Sequence, residues 1–165
     1  MSKIAILSDT HDNVWNLKRA LTQISQSGAE MMLHCGDLCA PFIIKYLAEA
    51  FDGPIHIVFG NNDGDGWLLQ TVASNYSHVT LHGIYCELEF ASRQIALIHY
   101  PEPTRRIAQS GHFDLVCYGH NHTAKSEQID DCILVNPGEI TGILGQASWG
   151  LYDCATHTFE FQPLE

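Results

Sequence analysis

The sequence is short of positive charge. Its 165 residues carry 8 Lys and Arg against 19 Asp and Glu, a formal net charge of −11, and its 10 His outnumber the Lys and Arg together. A chain this acidic repels a phosphate backbone, which excludes non-specific nucleic-acid binding. Long hydrophobic runs are also missing. Nothing approaches the roughly 20 apolar residues of a membrane-spanning helix, so no membrane partner is expected. The apolar run at residues 4–7 stops at Ser8-Asp9, too short for a signal-peptide core, and the expected location is cytoplasmic.

The cysteines lack a pairing pattern. Cys35, Cys39, Cys86, Cys117, Cys132 and Cys154 are scattered, and the one close pair, Cys35 and Cys39, has no matching second pair. Neither a disulfide framework nor a structural zinc site is expected. Cys117, inside the apolar run 115–118, reads as a small buried hydrophobe. No linker, repeat or low-complexity stretch divides the chain, so residues 1–165 are expected to form a single domain. A hydrophobic fraction of 45% supplies its core.

Strand and helix signals alternate in the first half. Lys3–Leu7 has β character. Asn13 can cap a helix whose apolar positions Val14, Leu17, Leu21 and Ile24 keep helical spacing, and Gly28 can stop it. Residues 31–34 and 55–59 read as strands, and Pro41 opens a helix over Phe42–Ala50. Trp67, Leu68, Val72 and Ala73 suit one face of a third helix. This order predicts parallel strands joined by right-handed crossovers. In the second half, residues 79–82, 85–89 and 93–98 predict hairpin-linked strands, and a short helix follows Pro103 and ends by Gly111. Further strands are expected over 115–118, 123–129, 132–135, 149–152 and 158–161. Two sheets with helices outside them accommodate this count.

The polar residues are informative by position. Asp9-Thr10-His11, Gly36-Asp37, Gly60-Asn61-Asn62-Asp63, His99 and Gly119-His120-Asn121-His122 each follow an apolar strand. In open α/β sheets, ligands bind beyond the carboxyl ends of strands, so parallel neighbours would bring all of these clusters to one rim. Their Asp, Asn and His side chains suit manganese, iron, zinc or nickel better than a soft, thiophilic ion. Seven ligand-type residues are too many for one ion and suit two ions sharing a carboxylate. Glycine before Asp37, Asn61 and His120 permits sharp turns and close backbone approach.

The ordered set D-x-H, G-D, G-N-x-D, a lone His and G-H-x-H resembles the calcineurin-like metallophosphoesterases, in particular their small single-domain phosphodiesterase branch. The resemblance runs from Asp9 to Gly138, and Asn136-Pro137-Gly138 is similar to a segment of that branch. It implies an α/β fold of two mixed β-sheets packed as a sandwich and flanked by helices. It also implies two divalent ions, manganese first and iron, zinc or nickel otherwise. Asp9, His11 and His122 would hold one, Asn61, His99 and His120 the other, and Asp37 both. The expected catalytic residues are Asp37, Asn61, Asn62 and His120. The expected reaction is hydrolysis of a small phosphate ester, a diester first and a nucleotide among the candidates, by in-line attack of a hydroxide bridging the ions.

One position departs from the family pattern. Many members carry His after the Asn of G-N-x-D, whereas this chain has Asn62. An amide donates a hydrogen bond but is no general acid near neutral pH, so poor alkoxide leaving groups should react less well than aryl ones. His34 reads as a core histidine, Asp63 as a loop-orienting carboxylate, and Arg105 and Arg106 as solvated. Three rival motifs fail. An EF-hand loop starting at Asn61 would need Glu where Val72 stands. Asp63-x-Asp65 does not directly follow a strand, and no Cys-x5-Arg loop is present. The rival of another class is a non-catalytic protein-binding scaffold of the same fold. Ligand-competent side chains at all seven positions favour an enzyme.

Overall fold

Alternate residues of the first strand face two different apolar layers. In β1 (Lys3–Leu7), Ala5 and Leu7 join one buried cluster, and Ile4 and Ile6 join another. This period of two fixes the strand between a helical layer and a second sheet. The computed structural model describes residues 2–164, and the two terminal residues of the expected domain lie outside it.

The first sheet holds β1 and β2 (Ala29–His34), β3 (Ile55–Ile57), β4 (Val79–Leu81), β10 (Ser148–Asp153) and β11 (Thr158–Pro163), in the order β11-β10-β1-β2-β3-β4. Strands β1 to β4 are parallel, and β10 runs antiparallel to β1. Between the parallel strands lie α1 (Val14–Ser27), α2 (Phe42–Ala50) and α3 (Gly66–Ala73). Leu17, Ile24, Ile43, Leu47 and Leu69 bury these helices against the face carrying Ala5, Leu7 and Met32. Asn13 caps α1 by accepting a hydrogen bond from the Asn16 amide at 3.1 Å, and Gly28 ends it in the left-handed region at φ 77°.

The second sheet holds β5 (Tyr85–Phe90), β6 (Arg93–Ile98), β7 (Leu115–Cys117), β8 (Lys125–Ile129) and β9 (Cys132–Asn136), in the order β5-β6-β7-β9-β8. Strands β6, β7 and β9 are parallel. Their parity repeats that of β1. Ile95, Leu97, Leu115, Cys117, Ile133 and Val135 face the first sheet. Ala96, Val116 and Leu134 face outward to Ala108 of α4 (Thr104–Ala108). The result is a four-layer α/β/β/α sandwich. Truncating a fully buried inter-sheet side chain such as Leu33 would cost about 2–5 kcal/mol. No helix among the described residues is long and apolar enough to cross a membrane.

Two expectations change. β4 is not hairpin-linked to β5, because it extends the first sheet in parallel register with β3 and the chain then crosses to the second sheet. Only β5 and β6 form the antiparallel hairpin. In α3 the helical period holds but the phase shifts. Trp67 and Leu68 are 84% and 44% exposed, while Leu69 and Ala73 face the core.

Candidate metal centre

The parallel order brings the polar clusters together at the carboxyl ends of β1, β2, β3, β6 and β7. Past the ends of β1 and β2, backbone pairing continues through Asp9 N–H to Gly36 O at 3.0 Å and His11 N–H to Asp37 O at 3.1 Å. The backbone is contorted there. Asp9, His11, Asp37, His120 and His122 all have positive φ, between 42° and 73°. Each such non-glycine conformation costs roughly 1–2 kcal/mol, and strain of this kind concentrates at functional sites.

Asp9, His11 and His122 present ligand-type atoms within 4.8 Å of one another. Asp9 Oδ1 lies 3.3 Å from His122 Nε2 and 3.7 Å from His11 Nε2. The second group surrounds Asn61. Its Oδ1 lies 3.0 Å from His99 Nε2 and 2.8 Å from His120 Nδ1. Asp37 stands between the groups: its Oδ2 is 3.5 Å from His11 Nε2 and 3.5 Å from His99 Nε2. Asp9, Asp37 and His99 also offer three atoms within 4.8 Å. The seven residues expected from the sequence therefore line one cleft.

Three of the four imidazoles are oriented by their other nitrogen. His99 Nδ1 lies 2.8 Å from Cys35 O, His122 Nδ1 lies 2.6 Å from Glu139 Oε2, and His11 Nδ1 lies 3.5 Å from Cys39 Sγ. Such partners fix the nitrogen left to face a cation. The carboxylates are held too. Asp9 Oδ2 accepts from Ser8 Oγ–H at 2.5 Å and from His120 N–H at 3.1 Å, which leaves Oδ1 for the cleft. Asp63 accepts from the Asp37, Cys39 and Gly60 amides at 2.7–3.0 Å, so it orients the loops as the sequence predicts. Asn62 donates to Asp37 twice, from its backbone to Oδ1 at 2.7 Å and from Nδ2 to Oδ2 at 2.8 Å.

Two glycines are sterically required. A Cβ on Gly60 would sit 2.1 Å from Asp37 Oδ1, and one on Gly119 would sit 1.9 Å from Ser8 Oγ. His34 is a fully buried core residue, bonded to Thr10 Oγ1 at 2.8 Å and to the Gly36 amide. Burial, with His99 nearby, pushes its pKa down to about 3. Glu139 escaped the sequence reading. It is fully buried directly after Asn136-Pro137-Gly138, and that placement was its only signal. Burial raises its pKa, but hydrogen bonds from His122 and from the Leu144, Gly145 and Ile143 amides outweigh this and hold it below the usual range.

The donor set fits divalent cations. Asp9 Oδ1 and His11 Nε2 are buried yet have no hydrogen-bond partner, and both point into the first group. Buried polar atoms are nearly always satisfied, so this orphaned pair marks a place for a cation. Burial, opposed by Ser8 and nearby histidines, raises the Asp9 pKa, and a cation would reverse that penalty. With oxygen and imidazole donors alone, the site suits borderline or hard divalent ions.

The likeness to known proteins agrees with this chemistry. A phosphodiesterase of Methanocaldococcus jannaschii is 31% identical over 154 residues, covering 92% of each chain. A probable metallophosphoesterase of Bacillus subtilis is 28% identical over 144 residues, covering 83% of this chain and 74% of the relative. Among solved structures, an archaeal phosphodiesterase superposes with a TM-score of 0.90 at 30% identity, covering 98% of this chain and 99% of that one. Vacuolar protein sorting 29 of Cryptosporidium parvum shares the fold, with a TM-score of 0.68 at 16% identity over 98% and 96% of the two chains. Residues 2–157 match the calcineurin-like phosphoesterase superfamily domain, and the chain belongs to that superfamily.

Proposed function

We propose that this chain is a dinuclear metal-dependent phosphodiesterase built as a single catalytic domain. Asp9, His11 and His122 hold one divalent ion and Asn61, His99 and His120 the other, with manganese the first choice. Asp37 serves both. The observation that carries this reading is the position of Asp37 Oδ2, 3.5 Å from a histidine nitrogen of each group.

Ions bound there supply Lewis acidity, lowering the pKa of water and neutralising charge on phosphate oxygens. The protein's part is preorganisation. Ser8 and the His120 amide aim Asp9 Oδ1 inward, Cys35 and Glu139 orient two rings, and Asn62 steadies Asp37. His120 and Asn61 belong to the second group, beside which a phosphate would bind, and no side-chain nucleophile is required. The substrate is a small phosphate ester, a nucleotide among the candidates. Six free cysteines support a reducing, cytoplasmic setting.

The deciding experiment compares bis(p-nitrophenyl) phosphate with p-nitrophenyl phosphate under manganese, zinc, nickel or ferrous ion. A diesterase hydrolyses the first faster. A protein that takes up fewer than two metal equivalents and stays inert with every ion would instead be a scaffold of this fold.

A further inference from the structure

A shallow cavity of about 390 Å³ opens beside the metal centre, between the loops that start α1, α2 and α3. Cys39, Ala40, Pro41 and Gly64 give it a mostly small, apolar floor, and Asp12 and Asp65 flank it. It adjoins both metal groups through single side chains. Cys39 Sγ is 3.5 Å from His11 Nδ1, and Asn62, at the cavity wall, donates to Asp37 Oδ2 at 2.8 Å. No Lys or Arg lines it.

We propose that this cavity is a subsite for one ester arm of the substrate, and that it selects a flat, uncharged ring, an aryl or nucleoside group, over a small alkyl or anionic one. The inference rests on the phosphodiesterase reading. A phosphate held by the two metal groups must direct its ester arms out of the cleft, and this is the apolar concavity beside them. Small residues on the floor leave room for a ring to lie flat. The flanking carboxylates set the charge preference. Asp12 Oδ1 accepts from the Ala40 amide at 2.8 Å and Asp65 Oδ1 from the Leu68 amide at 3.0 Å. Their Oδ2 atoms have no protein donor among the described residues and are free to accept from a hydroxyl or amino group. With Asp12 and Asp65 flanking it and no Lys or Arg among its lining residues, the subsite repels a second phosphate or a carboxylate on the arm.

Monoester ligands give an unambiguous test, because each has one arm. The manganese-loaded protein is assayed on bis(p-nitrophenyl) phosphate with inorganic phosphate, methyl phosphate, phenyl phosphate or 4-carboxyphenyl phosphate as inhibitor. Calorimetry reads phenyl phosphate binding directly. Phenyl phosphate should bind about tenfold tighter than methyl phosphate, the effect of desolvating one ring face. The carboxylated ring should bind several-fold weaker than phenyl, and Asp65→Asn, which can still cap α3, should shrink that penalty. Ala40→Leu should bring phenyl phosphate to the level of methyl phosphate and leave inorganic phosphate unchanged. A Cβ at Gly64 would meet no atom within 4 Å, so Gly64→Leu is a second filling variant. Equal affinity for the methyl and phenyl esters, or a ring preference that survives both filling variants, overturns the subsite while turnover of the diester upholds the phosphodiesterase. Absence of both diester turnover and phosphate binding overturns the phosphodiesterase reading, and the subsite with it.

Discussion

Glu139 Oε2 lies 2.6 Å from His122 Nδ1, so the other ring nitrogen, Nε2, is the one facing Asp9. The same carboxylate collects the amides of Ile143, Leu144 and Gly145, tying the loop after Thr141 to the metal centre. Glu139→Gln keeps the shape but puts an amide among donors. Metal affinity should fall about 10–100-fold, and stability by about 1–3 kcal/mol. Metal titration and thermal melts read the two effects separately. Unchanged affinity would deny Glu139 its orienting role.

Asp37 Oδ2 lies 3.5 Å from a histidine nitrogen of each group, and in the proposed function it is the shared ligand. Asp37→Ala should reduce metal content below one equivalent and diester turnover to background. Elemental analysis and a bis(p-nitrophenyl) phosphate assay check this together. A variant that keeps two ions and its activity would refute the bridging role.

Asn62 replaces a potential proton donor with an amide already engaged by Asp37. Asn62→His should raise turnover of alkyl esters relative to aryl esters by about 10²-fold or more, the range of general acid catalysis. The measurement is the ratio of kcat/KM for a methyl diester to that for an aryl diester. An unmoved ratio would show that leaving-group protonation does not limit this enzyme.

Arg93 joins the two sheets at a distance from the metal centre, donating from Nη1 to Asp114 Oδ1 at 2.8 Å and from Nε to Cys154 O at 2.9 Å. Burial raises the Asp114 pKa, but the Gln94 amide and Arg93 outweigh it and hold the carboxyl below its usual range. A depressed folded-state pKa contributes stability above the unfolded value of roughly 3.9, and that stability is lost as pH falls through the folded value. Asp114→Asn should therefore lower Tm by about 2–4 °C at neutral pH, for a loss on the order of 1 kcal/mol. The gap between variant and parent should close as pH falls through the depressed folded-state value. Melting curves across pH test this, and a gap that persists in acid would trace the loss to shape rather than charge.

Gly60→Ala would push a methyl into Asp37 Oδ1, which has no room to retreat while Asn62 and Asp63 hold that loop. Turnover should fall at least tenfold with a smaller loss of Tm. Equal turnover would mean that the loop yields.

Legibility from sequence followed the physics of each feature. Donors placed directly after short apolar strands were readable because parallel sheets gather their carboxyl ends, and Asp9, Asp37, Asn61 and His99 meet on that account. Strand ranges were readable from period two, as in the opposite faces of Ile95 and Ala96. Partner choice was not. The short Gly83-Ile84 link looks like a hairpin, yet His82 N–H to Ile57 O and Phe59 N–H to Gly83 O keep β4 alongside β3. In α3 the periodicity carried two phases, and only the sheet beneath selects Leu69 over Trp67. Glu139 gave no spacing signal, because its partner His122 lies 17 residues away on a neighbouring loop.

Asp63 has a wider consequence. With one carboxylate gripping the Asp37, Cys39 and Gly60 amides, the loops after β2 and β3 form a single rigid body before any cation arrives. The spacing between Asp37 and Asn61 is therefore inherited from folding rather than imposed by occupancy. On the dinuclear reading, cation uptake would therefore carry little further ordering entropy, and the depleted protein should hold its cleft open in solution.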